Sequence, residues 1–172
     1  ANITEGMYLR GQTANLVSRV SLSASGLESQ NPDLNTIFFN YIKSDNTTTD
    51  YANGEILEVY SSTTSIANIQ VTAIGDNYNN TDTVSISSTN GGNATATVNT
   101  YSNGSVESIT VTANGTGFTA DDYPTASVSG NSSADGATLR VNLQETMRVT
   151  VANSSFADAS ANAEFDITGK SY

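Results

Sequence analysis

Apolar and polar side chains alternate singly along much of the chain, the period of a pleated strand with one face turned inward. Leu16, Val20, Leu22 and Ala24 fall on one side of such a run, and Arg19, Ser21 and Ser23 on the other. Met7 to Arg10, closing at Gly11, reads as a strand before it, and a turn-rich loop from Ser25 through Asp33 follows. Glu55 to Tyr60 is a strand entered through the turn pair Asn53-Gly54 after the long polar run Lys43 to Asn53. Thr146 to Val151 is another. Thr36 to Ile42 breaks the alternation, with apolar groups on both faces. That pattern predicts burial on both sides, inside a sandwich or against a partner chain, and marks Phe38, Phe39 and Tyr41 as interface candidates. Residues 153–163 leave a turn and a short helix both open, and a last strand begins at Glu164. The fold class is all-β.

One stretch is written twice. Ile69-Gln70-Val71-Thr72-Ala73-Ile74-Gly75-Asp76-Asn77-Tyr78 returns as Ile109-Thr110-Val111-Thr112-Ala113-Asn114-Gly115-Thr116-Gly117-Phe118. Val84 to Ser87 is echoed by Ala126 to Ser129, and Ala94 to Asn99 by Ala137 to Asn142. The offset grows from 40 to 42 to 43, which places the extra residues in turns. Tyr101 to Ser105 separates two alternating runs and predicts a hairpin. Each copy supplies about three short strands, with Tyr78 and Phe118 as core aromatics, and the expected architecture is a small sandwich or prism with one sheet per copy. The organisation that follows is an N-terminal β sub-module over 1–60 and the duplicated part over 66–143, its copies about 66–105 and 106–143. C-terminal strands occupy 144–172. An opening at Ala1 without methionine and an ending on a strand signal suggest a processed product or a piece of a longer chain.

Composition narrows the chemistry. Charged residues make up 13% of the chain, against about a quarter in an average soluble protein, and Ser, Thr and Asn take their place. The net charge of −11 repels a phosphate backbone and an anionic membrane surface, so neither nucleic acid nor membrane is an expected partner. With no cysteine there is neither disulfide nor thiolate. With no histidine the commonest general base and metal ligand is missing too. No apolar run approaches the roughly 20 residues of a membrane helix, so no membrane insertion is expected.

Four constellations hold the remaining chemistry. Gly75 to Asp82 is rich in the oxygen ligands that calcium prefers, with Asp76, Asn77 and Asp82 as candidates and Asp121 and Asp122 as their counterparts. Tyr78 spoils an EF-hand register, and turn residues bonding their own backbone explain the same composition. Glu55 with Glu58, or Asp121 with Asp122, would be the paired carboxylates of a glycosidase, but the chain has no tryptophan to grip sugar. A solvated strand edge is the simpler reading of Glu55 and Glu58, and no enzyme activity is expected. Lys43 or Lys170 near an Asn or Asp would suit an isopeptide, though a surface lysine explains each. Asn2, Asn46, Asn79, Asn93, Asn103, Asn114, Asn131 and Asn153 stand in glycosylation triplets.

The Val-Thr strand, the Gly115-Thr116-Gly117-Phe118 turn and the Pro-flanked strand Tyr123-Pro124-Thr125-Ala126-Ser127-Val128 together resemble a repeat of virion proteins. Such repeats are common in long structural proteins of contractile-tailed phages of marine cyanobacteria. Gly6 to Gly11 and Val149 to Phe156 are similar to phrases of their large baseplate and tail-fibre-attachment proteins. In the first copy Asp76-Asn77 stands where the second glycine would be. The resemblance implies a non-enzymatic building block of a virion tail, without cofactor, that contacts neighbouring tail proteins and copies of itself, a trimer being the order many fibres take. The alternative is a secreted or cell-surface adhesin or filament subunit, bacterial or archaeal, bearing sugars. A carbohydrate-binding module would need exposed aromatics, for which Tyr51, Tyr60 and Tyr101 are the candidates.

Overall fold

A computed structural model of the chain describes residues 3–12, 16–23, 36–43, 51–130, 133–151, 153–155 and 163–166. The strands are β1 (Tyr8–Gly11), β2 (Val17–Ser23), β3 (Thr36–Lys43), β4 (Ile56–Tyr60), β5 (Ile66–Asp76), β6 (Thr83–Ser87) and β7 (Gly92–Thr100). They continue with β8 (Val106–Thr116), β9 (Thr125–Ser129), β10 (Asp135–Leu143), β11 (Met147–Thr150), β12 (Asn153–Ser155) and β13 (Ala163–Asp166). Every ladder is antiparallel and none of the described residues is helical, so the fold is all-β. The segment left open between turn and helix contributes β12 at its start, and residues 156–162 within it lie outside the described ones.

The chain divides into two compact units. Unit 1 comprises Ala1–Ser62 with Glu145–Tyr172, and unit 2 is Thr63–Gln144. Unit 1 is a seven-stranded sheet in the order β11-β4-β1-β2-β3-β13-β12. Its C-terminal strands therefore complete the sheet begun by the N-terminal ones, since β11 pairs with β4 and β13 with β3. Its main core is one cluster in which Leu9, Leu16, Val20, Phe39, Tyr51, Leu57, Val59, Met147, Val149 and Val151 are all buried. The alternation in β4 explains its side of this, because Leu57 and Val59 turn inward while Ile56 stays 40% exposed.

Unit 2 departs from the expectation of one sheet per copy. β6 and β7 of the first copy meet at Thr83↔Thr97, but the other ladders join a strand of one copy to a strand of the other: β7 pairs with β8, β10 with β5, and β6 with β9. The registers correspond residue for residue. Adding 43 to a β7 position and subtracting 40 from its β8 partner turns Thr97↔Thr110 into Arg140↔Gln70, and Ala94↔Asn114 into Ala137↔Ile74. Both register shifts match as well, between Thr95/Ala96 and Thr138/Leu139, and between Asn99/Thr100 and Asn142/Leu143. The β6–β9 ladder is symmetric about its middle pair, Ser85↔Ser127. Outer strands β5 and β8 lie against each other, and β9 lies beside β10.

Glycines and asparagines of positive φ sit at matching places in the two copies, as this pairing demands. Gly75 (φ 57°) answers Gly115 (φ 65°), Asn77 (63°) answers Gly117 (81°), and Asn93 (61°) answers Gly136 (79°). The predicted core aromatics Tyr78 and Phe118 are buried, at 6% and 1% exposure. The Tyr78 hydroxyl also accepts from the Ala137 amide at 3.3 Å.

Candidate functional site

The best-defined polar site in unit 2 is built on Asp122. Its carboxylate accepts the Ser88 hydroxyl, the Thr89 amide at 2.8 Å and the Asn90 amide at 3.3 Å. Ser88 Oγ in turn accepts the Gly91 amide at 2.9 Å, and Asn90 Nδ2 donates to Thr119 Oγ1 at 3.1 Å. The carboxylate thus closes the turn between β6 and β7 from the turn that precedes β9, satisfying donors that no strand can use. Burial pushes the Asp122 pKa up, and the hydrogen bonds from Ser88, Thr89 and Asn90 outweigh it, so the group titrates below the usual carboxylate range. A depressed folded pKa contributes stability that is present above the unfolded value of about 3.9 and lost as pH falls through the folded one. Asp122→Asn is therefore expected to lower the melting midpoint at neutral pH, with the gap to wild type closing as the buffer is taken into the acid range. A gap that does not change with pH would contradict this role.

The other calcium candidates are placed separately. Asp82, which corresponds to Asp122 at an offset of 40, accepts the Asn79 amide at 2.9 Å. Asn77 donates its side-chain amide to the Ser133 carbonyl at 3.1 Å. Asp76 ends β5 opposite Asp135, and Asp121 is half-buried beside Asp122. Among the described residues no three side chains of His, Cys, Asp or Glu stand close enough together to share a metal ion.

In unit 1 the acidic pair proposed for catalysis is split by the sheet. Glu55 is buried rather than on a solvated edge, with Oε2 accepting the Ala52 amide at 3.0 Å. Glu58 turns to the other face. There it accepts from the Tyr60 hydroxyl at 2.6 Å and from Gln12 Nε2 at 3.0 Å, and it lies 3.8 Å from the Arg148 guanidinium. Arg10 and Arg148 flank Glu58 in the neighbouring strands, which explains why a carboxylate is tolerated in mid-sheet. Burial first, then the hydrogen bond and the charge of Glu58, push the Tyr60 phenol upward. The arrangement fixes charges in place. It does not aim a free acid and a free base at a shared cleft, as glycoside hydrolysis requires.

Of the three candidates for exposed aromatics, Tyr51 and Tyr60 are 1% and 3% exposed, because Tyr51 plugs the unit 1 core and Tyr60 folds onto Glu58, while Tyr101 is 50% exposed. Phe39 is a wholly buried core residue, and Tyr41 packs against it at 5.1 Å between ring centroids. Those two belong to the core and not to a free surface. The Phe38 side chain lies outside the described residues, as do the side chain of Lys43 and all of Lys170.

Both the β5–β10 and the β7–β8 ladders of unit 2 turn paired hydroxyls outward, which the sequence alone did not single out. Thr72 meets Thr138 and Thr95 meets Thr112, each pair 2.7 Å apart. Asn99 Nδ2 reaches both Ser108 and Thr110 at 3.0 Å. The alternation of Thr and Ser with Ala and Val carried the signal for this face, but the cross-strand partners depend on the pairing between copies. The class these features define is an all-β protein with a hydroxyl-faced strand unit. Comparison with family models, curated proteins and solved structures finds no match.

Proposed function

We propose that the chain is a non-enzymatic structural module of a phage tail, at the baseplate or fibre attachment, that works by associating with itself and with neighbouring tail proteins. The observation that carries this reading is the set of exposed cross-strand pairs of short neutral side chains in unit 2, Thr72 with Thr138, Thr95 with Thr112, and Asn99 with Ser108 and Thr110. Long charged side chains lose about 1.5–2 kcal/mol of rotamer freedom each when immobilised, whereas a Thr already bonded to its neighbour has little left to lose. Such a face docks at low entropic cost. The carboxylates of Asp82 and Asp122 support the same reading, since each is bound up in a turn and neither is presented to a substrate. A repeated strand unit fits a part whose job is to multiply surface. Immunogold labelling of tailed particles with an antibody against the whole chain tests the assignment. Gold is expected on the tail or its baseplate, and particles without label would contradict it.

One observation favours the second reading, a glycosylated surface adhesin or filament subunit. Asn79 and Asn103 are exposed between strands and Asn93 is exposed at the start of β7, all three open to a glycosyltransferase, whereas Asn114 spends its side-chain amide on the Ile66 carbonyl at 2.8 Å. Sugar found on the first three and not on Asn114 in native material would decide for that reading.

A further inference from the structure

The chain holds four Asn-Gly pairs, Asn53-Gly54, Asn90-Gly91, Asn103-Gly104 and Asn114-Gly115. This dipeptide is the most prone to spontaneous cyclisation. The glycine nitrogen gives up its proton to solvent base and attacks the Asn side-chain carbon; the new C–N bond closes a five-membered imide as the Cγ–Nδ2 bond breaks and ammonia leaves. Water then reopens the ring to aspartate or isoaspartate. The reaction needs the glycine N–H free of an acceptor and the Asn side chain free to swing over it.

We propose that the fold clamps all four pairs against this chemistry, and that Ser88 with Asp122 is the dedicated clamp for Asn90. In three pairs the nucleophile is held: Gly54 N–H by the Val151 carbonyl at 2.7 Å, Gly91 N–H by Ser88 Oγ at 2.9 Å, and Gly104 N–H by the Tyr101 carbonyl at 3.0 Å. In three the side chain is held as well or instead. Asn90 Nδ2 donates to Thr119, Asn103 Oδ1 accepts the Ser105 amide at 3.1 Å, and Asn114 Nδ2 donates to Ile66. Asn90 is the most elaborately guarded, because Asp122 fixes the Ser88 hydroxyl and also accepts the backbone amide of Asn90 itself. The Phe118 ring lies directly over Gly91, against the place a Cβ would occupy. Conversion there would add a negative charge beside Asp122, and isoaspartate would lengthen the backbone within a tight turn. Asp122 thus acts on Asn90 as a positioning residue. The inference is independent of the tail assignment.

The test is peptide mapping of the full-length chain after prolonged incubation in mildly alkaline buffer, native and in urea. All four asparagines are expected to convert more slowly in the native chain. In Ser88→Ala the Asn90 site is expected to convert roughly tenfold faster, the effect of losing one hydrogen bond of ordinary strength. Asn53, Asn103 and Asn114 should keep their wild-type rates, and Ser88→Thr, which retains the hydroxyl, should restore protection at Asn90. Equal native and unfolded rates would overturn the proposal. So would an Asn90 rate unchanged by Ser88→Ala, and so would a rise at all four sites together, which would assign the protection to global stability and not to the clamp.

Discussion

Replacing Tyr51 by Ala is expected to cost unit 1 about 3–5 kcal/mol, the range for deleting a fully buried aromatic side chain. Tyr51 is 1% exposed and packs at 5.5 Å from the Phe39 ring and 5.4 Å from the Tyr41 ring. Its hydroxyl lies 2.9 Å from Ser18 Oγ and donates to the Leu9 carbonyl at 3.0 Å, tying the chain just before β4 to β1 and β2. Tyr51→Phe keeps the ring and removes the oxygen, leaving Ser18, itself wholly buried, without that partner. Its cost is expected at about 1–3 kcal/mol, the penalty of stranding a buried polar group. Denaturant melts of the three proteins check both figures. A Tyr51→Phe variant as stable as wild type would mean that the hydroxyl network contributes nothing.

Alanine at Gly75 and at Gly115 is expected to destabilise unit 2 by about 2–5 kcal/mol each, combining left-handed backbone strain with overpacking. A Cβ at Gly75 would press on the backbone of Asp135 and Ala137 and stand 2.8 Å from the Tyr78 ring. One at Gly115 would press on the backbone of Gly92 and Ala94 and stand 2.8 Å from the Phe118 ring. Offset arithmetic turns one list of neighbours into the other, so the two costs should agree within about 1 kcal/mol if the sites are energetically equivalent. Gly92 is the control: a Cβ there meets nothing within 4 Å, and Gly92→Ala should be close to neutral. One of the two variants being tolerated while the other unfolds would show that the matching registers hide unequal sites.

The all-β class was legible because the alternation at Ile69 to Ala73 and Ile109 to Ala113 has only one structural period that fits it. What the alternation does not encode is which strand pairs with which. β5 and β7 belong to one copy and yet pair with β10 and β8 of the other, a choice fixed by long-range closure and not by any local residue. Tyr51 was misjudged for a related reason. It follows a polar run from Lys43 to Asp50, so its neighbours in sequence suggest solvent, while its partners Leu9 and Ser18 come from more than thirty residues away. Glu55 sits just outside β4, where one residue of offset moves a side chain from the solvent face to the core. Asp122 stands after Phe118 as Asp82 stands after Tyr78, but its partners Ser88, Thr89 and Asn90 come from a turn more than thirty residues away, which no local pattern marks.

If, as proposed, outward surfaces and not reactive groups carry the work of this chain, sedimentation velocity of the intact protein over a wide concentration range will show it. Heavier species growing in with concentration, up to a defined small oligomer, are the result expected of a tail building block. A single monomeric boundary at every concentration would contradict it.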